Sequence, residues 1–461
     1  MGDQVAWNTR AEVIITAPAT PISFRQALRY WLKLGFISFG GPAGQIALMH
    51  QELVEKHRWI SERRFLHALN YTMLLPGPEA QQLATYIGWL MHGARGGIAA
   101  GVLFVLPSLF ILIALTWMYM AWGHYPAVAG ALYGVKPAVV AIVAFAVYRI
   151  GSRALRNNAL IAVAAAAFLA IFLSGVLWPG ATTFPYIILG AALIGFVGGR
   201  GAPDKFIPDE QRGANRKDYG PALIGDDVAL AAHTRFDRTQ TVRRVTLTLA
   251  LWLGAMGALY VWQGWHGALT QMGWFFTKAA LLTFGGAYAV LPYVYQGAVE
   301  HYHWLSAAQM IDGLALGETT PGPLIMVVAF VGFVGGWTHA LFGADNLVLA
   351  GVSAAVVATF FTFLPSFLFI LAGAPLVEAT RHEIKFTAPL SAITAAVVGV
   401  ILNLALFFAW HVFWPRGWEG NFDVLALLAS VVIFIGLWRY RWGVIPVVLG
   451  SAFAGLLLAL L

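Results

Sequence analysis

The chain contains no cysteine in 461 residues. Disulfides, thiolate metal centres and cysteine nucleophiles are therefore excluded. Charge is nearly as scarce, at 11% Asp, Glu, Lys and Arg against about 25% in soluble domains. With 59% hydrophobic residues and a mean hydropathy of +0.73, the chain has to use lipid as its solvent. The period-two alternation of an outer-membrane barrel is missing. Apolar residues come instead in continuous runs, Gly97 to Trp122, Val128 to Tyr148, Ala159 to Leu177 and Val348 to Leu371. Each is close to the ~20 residues that a helix needs to span a bilayer. The fold class is an all-α polytopic membrane protein. The first 23 residues have no apolar core and read as a polar tail, not a signal peptide. No P-loop, dinucleotide fingerprint or nucleophile elbow appears, so neither an ATP engine nor a hydrolase is indicated and no cofactor is implied. His301 and His303 lack acidic or thiol neighbours in sequence and read as solvated loop residues, leaving no metal site. The net charge of +7 has no folded soluble domain on which to form a nucleic-acid patch; it reads as the positive-inside bias of membrane proteins.

What the chain does have is one stretch written twice. Lys33, Ser38-Phe39-Gly40-Gly41, Trp59-Ile60-Ser61 and Pro76-Gly77-Pro78 recur as Lys278, Thr283-Phe284-Gly285-Gly286, Trp304-Leu305-Ser306 and Pro321-Gly322-Pro323, all at an offset of 245 positions. Leu106-Pro107-Ser108 matches Leu364-Pro365-Ser366 at an offset of 258. Rare punctuation held in one register identifies an internal duplication. The organisation follows: a polar tail over 1–23, a first repeat over 24–199, a polar cytoplasmic linker over 200–244, an extra transmembrane helix over 245–263 and a second repeat over 264–461. The linker holds nine Lys/Arg and seven Asp/Glu and reads as loosely ordered.

Charge orients the halves. His50 to His67 carries Lys56, Arg58, Arg63 and Arg64, whereas its counterpart Tyr295 to Asp312 has no Lys or Arg. Ala121 to Leu132 has none, whereas the counterpart Ala379 to Leu390 has Arg381 and Lys385. The bias changes sign, which predicts inverted-topology repeats, with the extra helix from Val245 to Trp262 supplying the odd crossing. Placing Arg149, Arg153 and Arg156 inside makes Phe24 to Met49 and Phe65 to His92 re-entrant hairpins, broken near the midplane at Phe39-Gly40-Gly41 and Pro76-Gly77-Pro78.

A helix broken at mid-membrane exposes backbone N–H groups that need partners, and its continuing N-terminus carries partial positive charge. Four such ends converging from two repeats make an anion site. Its candidate residues are Lys33, Ser38, Phe39, Gly40, Gly41, Pro76, Gly77 and Pro78 with Lys278, Thr283, Phe284, Gly285, Gly286, Pro321, Gly322 and Pro323. The bland alternatives are that the lysines snorkel and that Ser38 and Thr283 bond back to their own helices. Glu79 and Glu318 are intramembrane carboxylates at non-equivalent positions, which favours proton coupling; Glu79 as a helix cap is the alternative. Lys136 is either the counter-ion of Glu79 or a snorkelling residue. Trp59 and Trp304 read as interfacial anchors.

In combination, Phe39 to Pro42, Trp59-Ile60-Ser61, Pro76-Gly77-Pro78 and their second copies resemble the motifs of the chromate ion transporter family, in its long, two-domain form. The resemblance covers Phe24 to Leu177 and Trp274 to Leu461; Ala287 stands where the first copy has Pro42. It implies secondary transport of chromate, usually as proton-coupled efflux across the bacterial inner membrane that confers chromate resistance. The expected partners are chromate or a similar tetrahedral oxyanion, protons, the lipid bilayer and, in a homodimer, a second copy of the chain. Sulfate on the same scaffold stays open, as does, less favoured, a membrane-embedded enzyme acting on a lipid-linked substrate.

Overall fold

The computed structural model describes residues 22–39, 41–177, 183–206, 221–225, 232–284, 286–379, 387–415, 417 and 420–460. The polar tail over 1–21, Gly40, Gly285, Arg381 and Lys385 lie outside them.

The duplication is visible element by element. The first repeat opens with α1 (Phe24–Ile37), α2 (Gly41–His50), a π-helical turn at Gln51–Lys56 and α3 (Glu62–Leu74). There follow α4 (Glu79–Trp122), α5 (Pro126–Ala154), α6 (Asn158–Leu177) and α7 (Phe184–Gly201). The connecting region holds the short α8 (Pro203–Phe206) and then α9 (Arg238–Gln263). The second repeat runs α10 (Ala268–Leu281), α11 (Ala287–Tyr295), a π-turn at Gln296–His301 and α12 (Ala307–Thr319). A 3-10 turn at Leu324–Met326 leads into α13 (Val327–Thr338) and α14 (Leu347–Ala379), then α15 (Thr387–Phe413), α16 (Val424–Arg439) and α17 (Val444–Leu460). Helix α4 is itself broken at His92 and Gly93 (φ 66°), where the second repeat has the gap between α13 and α14.

The repeated motifs have local physical roles. Arg58 and His303 both take left-handed backbone (φ 51° and 53°) at the end of the π-turns. The amides of Trp59 and Trp304 then close those turns on Leu53 and Ala298, each at 2.8 Å. Ser61 and Ser306 cap α3 and α12 by accepting from the backbone N–H three residues on. Trp304 is fully buried, stacked on Tyr302 and Phe276, so it is a core residue and not an interfacial anchor.

Helices α1, α2, α3, α10, α11 and α12 have 9 to 14 residues, too short to cross a bilayer that needs about 20. Among the described residues seven longer apolar helices reach that length, within α4, α5, α6, α7, α9, α14 and α15. The repeats interlock through small residues: a Cβ on Gly134 of α5 would lie 2.8 Å from the Cα of Gly455 on α17. Helices α6 and α7 pack on α15 in the same close manner, at Gly399 and Gly195. Helix α9 buries Met256 and otherwise turns Leu247, Leu251, Leu253 and Val261 outward, as a lipid-facing helix does. It begins seven residues before the expected Val245, because Asp237 caps it and Arg244 bonds the Leu371 carbonyl at 2.8 Å. Part of the linker is ordered: Leu223 and Ile224 donate to the carbonyls of Arg58 and Trp59, at 3.0 Å each.

Candidate functional site

The two helix breaks of each repeat meet those of the other. Helix α1 ends at Ile37, and the Ser38 carbonyl beyond it accepts from the Gly322 amide at 2.7 Å. Helix α10 ends at Leu281, and the Thr283 carbonyl accepts from the Gly77 amide at 2.7 Å. Each Pro-Gly-Pro tip is thus bonded to the Gly-Gly break of the opposite repeat. The exchange is reciprocal, as in a two-fold contact. We refer to this point as the crossing.

Its backbone is the same on both sides. Phe39 and Phe284 donate to the carbonyls two residues earlier, at 3.0 and 3.1 Å. Gly77 and Gly322 have φ values of 127° and 106°, outside the range of L-residues. There is no room for a side chain either. A Cβ on Gly322 would lie 2.6 Å from Ser108 Cβ, and one on Gly77 would collide with Ser366 Oγ and Gln82 Nε2. Ser108 and Ser366 are the serines of the repeated Leu-Pro-Ser.

Side chains then line the crossing. Gln45 Nε2 donates to the carbonyls of Ser38 and Gly322. Gln82 Nε2 donates to the Pro76 carbonyl at 2.7 Å and reaches Ser366 Oγ at 3.4 Å. Thr283 Oγ1 bonds back to the Ala279 carbonyl at 2.7 Å. Ser38 and Ser108 differ: each hydroxyl is buried and has no hydrogen-bond partner among the described residues. A buried hydroxyl without a partner is costly, which makes it a donor in waiting. The helices that start here, α4 after Pro78 and α11 after Gly286, have no side-chain cap, and neither does the 3-10 turn after Pro323. Their first N–H groups are donors as well.

The titratable candidates are spread out. Glu79 lies in the first turn of α4, next to the Pro-Gly-Pro tip. Glu318 is buried near the end of α12 and accepts a hydrogen bond from Tyr288. Lys136 does not pair with Glu79; its Nζ lies 4.0 Å from Asp312 Oδ1. Lys278 is half-buried with its ammonium 5.6 Å above the Trp274 ring. Lys33 is exposed, and beside the hydrogen bond from Lys56 its charge helps to hold the Glu52 carboxyl below the usual range. Among the described residues neither Lys33 nor Lys278 is hydrogen-bonded to the crossing. His301 and His303 are exposed.

Sequence reasoning passed over Gln45, Gln82, Ser108, Ser366 and Asp312. The Leu-Pro-Ser repeat was the available signal for the two serines: a polar residue after an intramembrane proline, present twice.

The family model described as chromate transporter matches residues 25–196 and 270–456, one segment in each half. The chain belongs to the chromate transporter family. The resemblance read from the motifs is borne out, and both matched segments contain a half of the crossing. A chromate transport protein of Pseudomonas aeruginosa is 32% identical over 440 residues, 94% of this chain and 92% of that one. One of Cupriavidus metallidurans is 30% identical over 402 residues, covering 87% and 86%. A probable chromate transport protein of Synechococcus elongatus is 27% identical over 418 residues, covering 90% of each. No solved structure matches the chain. The family's named relatives are transport proteins, which agrees with a carrier and gives no support to an enzyme.

Proposed function

We propose that this member of the family is a secondary transporter that exports chromate from the cytoplasm across the cell (inner) membrane, exchanging it for protons and conferring chromate resistance. The observation that carries the reading is the crossing, where two reciprocal backbone bonds hold together uncapped helix starts and two buried hydroxyls with no partner among the described residues. A tetrahedral dianion needs several donors arranged around it, and fixed donors in a water-poor site bind it without the reorganisation that water would require. Ser38, Ser108 and Gly41 with the amides after Pro78, Gly286 and Pro323 supply the donors. Phe39 and Phe284 wall the site, and Pro76, Pro321 and Thr283 fix its tips. Lys33 and Lys278 supply positive potential on approach, and Glu79 and Glu318 carry the exchanged protons.

The test is tracer chromate flux in proteoliposomes. Vesicles with an acidic lumen are expected to take up chromate as protons leave, and excess sulfate is expected to leave most of that uptake intact. Equal competition by sulfate would move the reading to a general oxyanion carrier; absence of any flux would end the export reading. In the same vesicles, Ser38→Ala with Ser108→Ala is expected to weaken chromate affinity at least about 100-fold, since two hydrogen bonds to a charged group contribute about 1.5–3 kcal/mol each, net of water. Unchanged affinity in the double variant would remove both hydroxyls from the site.

A further inference from the structure

Helix α12 carries a second carboxylate that the transport reading above does not use. Asp312 is 5% exposed, on the face of α12 that meets α5 and α4. Its Oδ2 accepts from the Tyr119 hydroxyl at 3.0 Å. Its Oδ1 is buried with no hydrogen bond among the described residues, and the cation beside it, Lys136 Nζ, stands off at 4.0 Å. That separation is an ion pair without a hydrogen bond, so the acceptor position of Oδ1 is unfilled. Lys136 is 30% exposed along its side chain and Asp312 6%, so the pair meets the protein surface at the lysine.

An ion pair placed for stability alone would close to hydrogen-bonding distance, because only good geometry offsets the desolvation of both charges. A carboxylate that has to take up and release a proton needs the opposite: a free lone pair, a counter-charge that compensates but does not cap it, and access to water. Asp312 has the free lone pair and the stand-off counter-charge, and Lys136 brings the pair to the protein surface. We infer that Asp312, held between Lys136 and Tyr119, is a proton-binding residue of the transport cycle.

The surroundings agree. Helix α5 sends two cations toward α12, Lys136 to Asp312 and Arg149 within electrostatic reach of Glu318 and its partner Tyr288. Of the other elements packed on α12, α4 carries Glu79, Tyr86, His92, Arg95 and Tyr119, and Tyr119 is the one bonded to Asp312. Helices α13 and α17 and the turn at Leu324–Met326 have none, and the one such residue of α15, His411, is bonded through Nδ1 to the Phe407 carbonyl. The charge state of Asp312 therefore answers to Lys136 and Tyr119. Its effect reaches the crossing along a short path: α12 ends at Thr319, and three residues later the Gly322 amide bonds Ser38. Position 312 is the repeat counterpart of His67, so both halves place a titratable side chain at this level.

The inference rests on the proton-coupled reading, and the test keeps the two apart. In proteoliposomes, Asp312→Asn is expected to lower pH-gradient-driven chromate uptake at least about tenfold, while chromate–chromate counterflow, which needs no net proton movement, stays within about twofold. Asp312→Glu, which keeps the carboxyl, is expected to restore gradient-driven uptake. Independently of flux, acidifying the wild-type protein is expected to produce an infrared carboxylic-acid band that Asp312→Asn lacks. Gradient-driven uptake retained in Asp312→Asn, or an unchanged acid band in that variant, overturns the assignment. If the wild-type protein itself ignores the gradient, the coupled-transport reading falls, and the infrared band alone decides whether Asp312 binds a proton.

Discussion

Gly322→Ala is expected to lower chromate flux per inserted protein by at least about 30-fold, and Gly77→Ala by somewhat less. Two costs add at Gly322. A φ of 106° lies outside the left-handed well, and holding a residue with a Cβ there costs about 1–3 kcal/mol. The added methyl would also meet Ser108 Cβ at 2.6 Å, a group fixed to the backbone of α4 that cannot swing aside; overpacking of this kind costs about 1–3 kcal/mol more. The cheapest relief is to pull the tip out of the crossing, which breaks the Gly322 bond to Ser38. At tenfold per about 1.4 kcal/mol, the bonded crossing then becomes a minor state. At Gly77 the φ of 127° is no better, but the Cβ would meet the ends of Gln82 and Ser366, which have more freedom to move. Gly41→Ala serves as the control: its φ of 68° is in the left-handed well and nothing lies within 4 Å, so flux should fall only a fewfold. Equal flux in Gly322→Ala and Gly41→Ala would show that the crossing does not need to be closed for transport.

The duplication and the breaks were legible because glycine, proline and tryptophan mark backbone events directly. Gly77 and Gly322 sit where no other residue fits, and a sequence reader sees them at once. The bonds that join them to Thr283 and Ser38 were not legible, since a backbone amide and a carbonyl are present at almost every position and leave no mark in sequence. Neither was the division of labour between the two equivalent hydroxyls. Thr283 bonds its own helix while Ser38 does not, a difference of rotamer and local turn. Asp312 is not legible because it closes the stretch from Tyr295 that matches a charged loop, whereas the Ser306 cap starts α12 early and carries Asp312 into its second turn. Trp304 misled for a related reason: tryptophan suits both a headgroup belt and a core, and composition does not separate them. The linker looked wholly polar, yet Leu223 and Ile224 are apolar enough to add a short parallel pairing to the first repeat.

A single-cysteine scan is expected to place His57→Cys and His301→Cys on opposite sides of the membrane, an all-or-none difference in labelling by an impermeant maleimide. The reciprocal bonds at the crossing relate the repeats by an approximate two-fold axis. Such an axis lies either along the membrane normal, giving parallel repeats, or in the membrane plane, giving inverted ones. The helix count separates the two. The first repeat crosses with α4, α5, α6 and α7, an even number that returns the chain to its starting side; α9 adds one more before α10 begins. On that count the second copy of the π-turn loop is expected to face the other way, and its charges agree: Lys56, Arg58, Arg63 and Arg64 mark the first copy, and the second has no Lys or Arg from Tyr295 to Asp312. His57 and His301 are exposed in the two loops, and the chain has no cysteine of its own to confuse the signal. His57→Cys should react only after the cells are permeabilised, and His301→Cys in intact cells. Labelling of both from one side would put the axis along the normal, and the uncapped helix starts of the two repeats would then enter the crossing from the same face. In that arrangement alternate exposure could not come from exchanging the roles of the two halves, because both would open toward the same compartment.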